Sequence, residues 1–331
     1  MRKLALVDPD GHGISCGLIL LKSCREGIVK LHVFSSFSPR SPLRLSNRNL
    51  VNVLGFFLSR YGVIYLVDIS SRVNHKRVIV LDHSVGNGSA YGLNMYLMRR
   101  FRVEPDWFLL DWSLAGAVLD QDPTVAPYVS PSLEIILCRY VDPLLKRCRL
   151  EIISELSGGR YRRLVEDYGD VGALMKLIFE EKLTPLDIYY RYRHLLDDEV
   201  DIRFTALDSI VLVEECLGLG MWWKQCWLAC ALSGKPVAMG LAYEADLGRL
   251  VLLFAVYWRH SHVSAILDKV LMRYFSPDRI SGRPGLRKII PTSRDIAELY
   301  NLAYRIDQTF KEELTSNEQY ESPSTTTTAS T

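Results

Sequence analysis

The chain lacks most of the features that would mark an exported, membrane-spanning or nucleotide-driven protein. Its 331 residues include seven cysteines. That is an odd number with no Cys-x-x-Cys pair, which argues against a zinc ribbon or a disulfide frame and for reduced thiols. Cys226 and Cys230 stand at the spacing of one helix face and read as small buried apolar residues. There is no Walker loop and no G-x-G-x-x-G, so neither a nucleotide-hydrolysing motor nor a Rossmann dehydrogenase has support. No internal repeat is present. The most apolar window, Cys216 to Leu232, is interrupted by Lys224 and Gln225 and is short for a membrane span, so it reads as core. Met1-Arg-Lys leads straight into an apolar run without a long h-region, which predicts no signal peptide and a cytoplasmic protein. Strong charge of one sign is missing too: a net charge of +2 permits nucleic acid as a partner without demanding it.

What is present is a set of acids at the ends of apolar runs. Leu4-Ala-Leu-Val-Asp8-Pro-Asp10-Gly delivers two carboxylates just before a glycine turn. Val63-Ile-Tyr-Leu-Val-Asp68 and Arg77-Val-Ile-Val-Leu-Asp82-His83-Ser84 repeat the pattern. Each acid alone is an ordinary turn residue. Acids at the C-terminal ends of successive strands are the arrangement an open α/β sheet uses to build a site. Asp8, Asp10, Asp68, His83 and Asp120 have the chemistry of a divalent-cation centre, and one imidazole among carboxylates shifts preference from Mg²⁺ toward Mn²⁺.

The runs alternate between strand and helix. Strands are expected over 1–8, 28–35 and up to Asp68 and Asp82, with helices over 14–24, 50–61 and 91–101. This predicts an α/β fold with a mainly parallel, doubly wound sheet. Ala115, Gly116 and Ala117 predict close helix packing before Asp120. Residues from about 130 to 210 are helix-rich and more charged, and read as a connector. Strand-like runs at 236–243 and 250–258, followed by helical runs at 263–274 and 294–307, predict a second, smaller α/β domain. The Thr-rich tail lacks the apolar content to fold. His260 and His262 would share a face of a strand, although a polar strand end is the plainer reading. Arg160-Tyr-Arg-Arg163 and Tyr189-Tyr-Arg-Tyr-Arg193 mix cations with rings as single-strand binders do, and a solvated helix face fits them equally well. Trp222, Trp223 and Trp227 read as core.

Asp8-Pro-Asp10-Gly, Val67-Asp68-Ile-Ser, Val80-Leu-Asp82-His83-Ser84 and Leu114-Ala-Gly-Ala-Val-Leu-Asp120 resemble the four motifs of the DHH phosphoesterase superfamily. The likeness is to its RecJ-type and archaeal GINS-associated nucleases. His262-Val-Ser-Ala-Ile-Leu, Ile280-Ser-Gly282-Arg283-Pro-Gly285 and Asp295-Ile-Ala-Glu-Leu resemble the DHH-associated domain. The resemblance implies a DHH domain over 1–130, a helical connector over 131–215, a degenerate DHH-associated domain over 216–312 and a disordered tail over 313–331. It implies that Asp68 bridges two Mn²⁺ (or Mg²⁺) ions, that Asp10, His83 and Asp120 complete one site, and that Asp8 serves the other. Asp68, Asp82 and His83 would be the catalytic residues, with Asp82 orienting its neighbours. Ser84, Arg259, Gly282 and Arg283 would bind substrate.

Departures from the family pattern are specific. Leu6 stands where the first motif has a histidine, Ser84 replaces the second histidine of the triplet, and Arg283 replaces the final-loop histidine. Asp68 and Asp82 are too close in sequence for the helix that normally separates them. These changes imply a weakened second metal site and reduced activity. The expected function is a Mn²⁺-dependent phosphodiesterase or exonuclease on single-stranded nucleic acid, working between the lobes. The alternative is a catalytically inactive scaffold like the related subunit of the CMG replicative helicase, binding GINS and MCM. A small-substrate phosphatase ranks third.

Overall fold

The structure is a computed structural model that describes residues 2–27, 31–34, 54–69, 73–83, 88–196, 202–213, 218–244, 249–292 and 295–321. The chain forms two compact units, Met1–Val200 and Asp201–Thr331.

The first unit is built on a four-stranded parallel sheet in the order β2-β1-β3-β4, with β1 Lys3–Val7, β2 Leu31–Phe34, β3 Val63–Val67 and β4 Val78–Leu81. β1 and β3 are apolar on both faces because both faces are covered. Leu4, Leu6, Ile64 and Leu66 point into one cluster with Leu54 and Phe57, from a helical stretch over 54–58. Their alternates point to the other face, where Tyr65 meets Phe101 edge-on at 5.7 Å. The expected doubly wound parallel sheet is therefore present. Strand order reverses between β1 and β3, so the crevice beyond their C-terminal ends is the switch point where open α/β sheets bind ligands. The described part of the β3–β4 connection contains no helix, as the short spacing of Asp68 and Asp82 predicts.

Helices fill the rest of the unit. α1 (Gly11–Arg25) follows β1 and is capped by Asp10. α2 (Ala90–Arg100) is capped by Ser89 and α3 (Trp107–Leu119) by Asp106, whose side chains accept the backbone N–H of Gly92 and Leu109. Then come α4 (Pro131–Ile136), a π-helical turn (Leu137–Val141), α5 (Asp142–Arg147), α6 (Arg149–Ser157), α7 (Tyr161–Glu181) and α8 (Pro185–Tyr192). The helix-rich stretch after residue 130 thus packs within the same compact unit as the parallel sheet.

The second unit carries a six-stranded mixed sheet in the order β5-β6-β7-β8-β10-β9. Its strands are Phe204–Ala206, Ile210–Val213, Val237–Glu244, Arg249–Val256, Ile280–Arg283 (β9) and Leu286–Ile289 (β10). Phe254, Leu267, Leu271, Ile289, Ile306 and Phe310 form its core, with α9 (Gly218–Ser233), α10 (Ser264–Tyr274) and α11 (Ile296–Glu321) around it. The Asp307 carboxylate in α11 accepts the N–H of Ser209 at 2.7 Å and of Ile210 at 2.8 Å, where β6 begins. α11 runs past residue 313, where a tail was expected. Glu313 is held by Lys269 at 2.6 Å and by Arg273, and Thr315, Ser316 and Asn317 bond back to carbonyls four residues earlier. Residues 322–331 lie outside the described residues. Among the described residues no helix is long and apolar enough to cross a membrane.

Candidate metal centre

The pairing of β1 with β3 sets Val7 against Val67, so the residues that follow, Asp8 and Asp68, leave the sheet side by side. The Asp8 N–H donates to the Val67 carbonyl at 3.2 Å, and the Asp68 N–H to the Leu81 carbonyl at 2.8 Å. Asp68 takes φ +59°, the left-handed region that few residues other than glycine occupy, with Asp among the more tolerant. Asp10 ends the loop by accepting the Gly13 N–H at 2.9 Å. A Cβ on Gly13 would run into the Asp8 carbonyl oxygen, so this tight return into α1 requires glycine.

The return places His12 in the first turn of α1, fully buried. Its Nε2 lies 2.9 Å from the Ala90 carbonyl. A carbonyl only accepts, so Nε2 carries the proton. In the neutral ring this leaves the Nδ1 lone pair facing Asp68 Oδ2 at 2.9 Å, with no aligned hydrogen bond between them. Two acceptors at that distance call for a proton or a cation. A ring locked by an N–H to a backbone carbonyl is the usual support of a metal-binding histidine. Behind the ring, Ser15 Oγ donates to the His12 carbonyl at 2.7 Å, and Asn94 ties together Ser15 Oγ at 3.0 Å and Cys16 Sγ at 3.1 Å.

His83 follows β4. Its Nε2 lies 3.0 Å from Asp120 Oδ2 and 3.5 Å from Asp68 Oδ1, and its ring meets that of His12 edge-on at 5.4 Å. Asp120 caps the C-terminus of α3. It reaches the centre because α3 lies close on α1: a Cβ on Gly116 would strike Ser15 Oγ and crowd the His12 Cα. The small-residue run at 115–117 thus packs as its composition predicts.

Ligand atoms of three overlapping sets lie within 4.8 Å of one another: His12, His83 and Asp120; Asp68, Asp82 and His83; and Asp8, Asp10 and Asp68. Proton affinity is raised at Asp8, His12, Asp68 and His83. Burial, with Asp10 and Asp68 adding repulsion, pushes the Asp8 carboxyl well up. Burial lifts Asp68 to about 7 against the opposing pull of His12. His83 is raised chiefly by its bond to Asp120. Burial works against charge on His12, but Cys16 and Asp68 outweigh it and its pKa stands raised. Lys146, paired with buried Asp142 at 3.1 Å, is the cation that opposes the rise at Asp8.

Six of the residues singled out in the first unit, Asp8, Asp10, Asp68, Asp82, His83 and Asp120, are brought together. The sets overlap: Asp10 sits with Asp8 and Asp68, His83 with Asp68 and Asp82, and both His83 and Asp120 with His12. His12 is the residue missed. Its signal was Asp10-Gly-His12-Gly13, where an N-cap followed by a glycine sets the next side chain in the first turn. Leu6 is buried in the apolar cluster on one face of the sheet. Ser84 lies outside the described residues.

The remaining candidates are in the second unit. Gly282 (φ +112°) is in β9, where a Cβ would meet the Leu286 carbonyl oxygen. Arg283 ends that strand. Arg259 lies in a 3₁₀ turn after β8, its guanidinium 4.9 Å over the Trp258 ring. A bond from the Val256 N–H to the Gly285 carbonyl at 2.8 Å brings the hairpin and this turn to one end of the sheet. His260 and His262 belong to the same 3₁₀ turn rather than to a strand, so strand alternation does not apply to them. Arg162 and Arg163 are exposed and pair with Glu166 at 2.9 Å and Asp167 at 3.8 Å along α7, a solvated face. Tyr192 is core. Trp227 donates to the Val256 carbonyl at 3.1 Å.

The parallel sheet with acids at its C-terminal edge, followed by a mixed-sheet unit, is the α/β architecture that the resemblance implies. Among solved structures the chain is similar to the pGpG-specific phosphodiesterase PggH of Vibrio cholerae, with a TM-score of 0.51 and 10% identity over 95% of this chain and 100% of that one. It is also similar to RecJ of Thermus thermophilus in complex with Mn²⁺ (TM-score 0.40, 13% identity, 94% of this chain and 52% of that). A third is CDC45 of Entamoeba histolytica (TM-score 0.34, 6% identity, 94% and 95%). At these identities the likeness is one of fold. No protein-family model and no curated protein matches the sequence.

Proposed function

We propose that the chain is a metal-dependent phosphodiesterase of RecJ-like type that shortens single-stranded nucleic acid, with reduced turnover. The observation that supports this most is the Nδ1 lone pair of His12 set against the Asp68 carboxylate, with His83 and Asp120 beside them. His12, Asp68, His83 and Asp120 would hold one divalent cation. Two imidazoles among the donors favour Mn²⁺ over Mg²⁺. Asp8, Asp10 and Asp68 offer oxygens alone and suit a second, harder ion. A cation held there acts as a Lewis acid on phosphoryl oxygen and lowers the pKa of water into the neutral range. Asp68, common to two of the ligand sets, positions both sites, and Asp82 orients His83. In this reading the second unit is a degenerate DHH-associated domain. Its Arg259 and Arg283 supply cationic contacts to phosphate, and Gly282 lets the backbone approach closely; Ser84 would contact the scissile phosphate.

The test is 5′-labelled single-stranded DNA incubated with the protein and Mn²⁺. Metal-dependent shortening that disappears in Asp68→Ala is the expected result; cleavage equal in the two proteins would overturn it. A second reading, an inactive replication scaffold binding GINS and MCM, draws on one observation. Leu6, at the position where the resemblance implies a histidine ligand, is an aliphatic core residue. Absence of cleavage together with co-purification of GINS would favour that reading.

A further inference from the structure

A cavity of about 540 Å³ opens in the first unit beside the C-terminal end of α1 and the edge strand β2. By helix rise its lining on α1 lies about 14–20 Å from His12. Its size falls within the roughly 300–1,000 Å³ of small-ligand sites. Two stacked rings contribute to the lining, His32 and Tyr168 (5.4 Å, 21°), and outside the lining Tyr61 also stacks with His32 (6.1 Å, 18°). The His32 Nε2 donates to the Asp167 carbonyl at 3.0 Å. Burial lowers the His32 pKa, so the imidazole adds no charge of its own near neutral pH.

Charge comes instead from Arg25 and Lys176, and each is backed by a ring. The Arg25 guanidinium stands 5.8 Å over Phe179, and Lys176 Nζ stands 5.0 Å over Tyr168. Arg25 has no carboxylate within 4 Å among the described residues. Glu180, the one acid among the described lining residues, is divided between Lys176 at 3.3 Å and Arg160 at 3.4 Å. One carboxylate split between two cations, next to a third with none, leaves the wall positive. Phe179, Val33 and Leu21 make the rest of the lining apolar.

We propose that this cavity binds a nucleotide-sized phosphate ester, with its phosphate at Arg25 and Lys176 and its organic part against Phe179 and Val33. This binding is separate from the metal centre and from any cleavage there. Arg25 gives a planar fork for phosphate oxygens and Lys176 a point charge. The ring behind each cation holds it at the wall, so little side-chain freedom is lost on binding.

The test is calorimetric titration of the full chain in EDTA with 5′-AMP, and with adenosine as the uncharged control. The expected result is one AMP per chain, adenosine at least tenfold weaker, and AMP affinity down at least tenfold in Arg25→Ala/Lys176→Ala. The variant's melting temperature and Mn²⁺ affinity should match those of the parent, which separates a lost site from a lost fold. Equal affinity for AMP and adenosine would overturn the phosphate assignment. Undiminished AMP binding in the variant, or none to the parent at millimolar concentration, would overturn the site.

Discussion

Gly116 in α3 faces Ser15 in α1 so closely that a single added carbon would strike the serine oxygen. This approach brings Asp120, at the end of α3, within 3.0 Å of His83. Gly116→Val should force α3 outward and separate Asp120 from the other ligands. Overpacking of this kind costs about 1–3 kcal/mol. The larger expected effect is a drop of tenfold or more in Mn²⁺ affinity by calorimetry. Unchanged affinity would mean that Asp120 is not a ligand.

Stability should depend on pH with an unusual sign. Asp8, His12, Asp68 and His83 all hold protons more tightly in the folded chain than they do free. Where the native state binds more protons than the unfolded one, stability falls as pH rises. For Asp68 that window opens near pH 4, where a free aspartate ionises, and runs through about 7. The metal-free protein should therefore melt at a higher temperature at pH 5 than at pH 8. Saturating Mn²⁺ should reverse the order, because a cation replaces the protons with their release. A metal-free melting temperature that climbs from pH 5 to 8 would contradict the cluster's geometry.

Restoring the ligand that the resemblance implies should not restore a metal site. Leu6 packs among Leu4, Leu54, Ile64 and Leu66. Leu6→His would bury an imaginable ligand in an apolar cluster, at a cost of about 2–5 kcal/mol from lost packing and polar burial. Urea denaturation should give a lower midpoint, with Mn²⁺ stoichiometry unchanged. A gain of one bound ion per chain would refute this placement of the side chain.

Asp307 satisfies the N–H groups of Ser209 and Ile210 at the start of β6. Asp307→Ala should leave them without their acceptor and cost about 3 kcal/mol. Hydrogen exchange should accelerate in β5, β6 and β7 while β1 and β3 remain protected. Protection lost equally in both units would show that the two do not unfold separately.

Much of the centre could be read from the chain because its acids stand at the ends of strands. An apolar run gives the strand, and the first residue past it falls at the C-terminal edge of the sheet, so Asp8, Asp68 and Asp82 were visible one by one. His12 was not, because it belongs to a helix, and its partner Asp68 is fixed only by the pairing of β1 with β3. The way the acids and histidines group into overlapping sets was hidden for the same reason. Leu6 reads as a missing ligand in a motif; only the face on which it lies reveals a core residue. His260 and His262 misled because Tyr257 ends the strand run just before them. The end of the last helix was obscured by its polar composition, since what holds it is Glu313 against Lys269 and Arg273.

The bond between Asp307 and the entry to β6 ties nearly the first residues of the second unit to nearly the last of its core. During synthesis β6 emerges some hundred residues before its cap, so the strand waits on the ribosome with open donors. Domains generally fold as units, and contacts this distant in sequence slow folding. The second unit should thus reach its native state only after its final helix has left the exit tunnel, well after the clustered acids and histidines of the first have met.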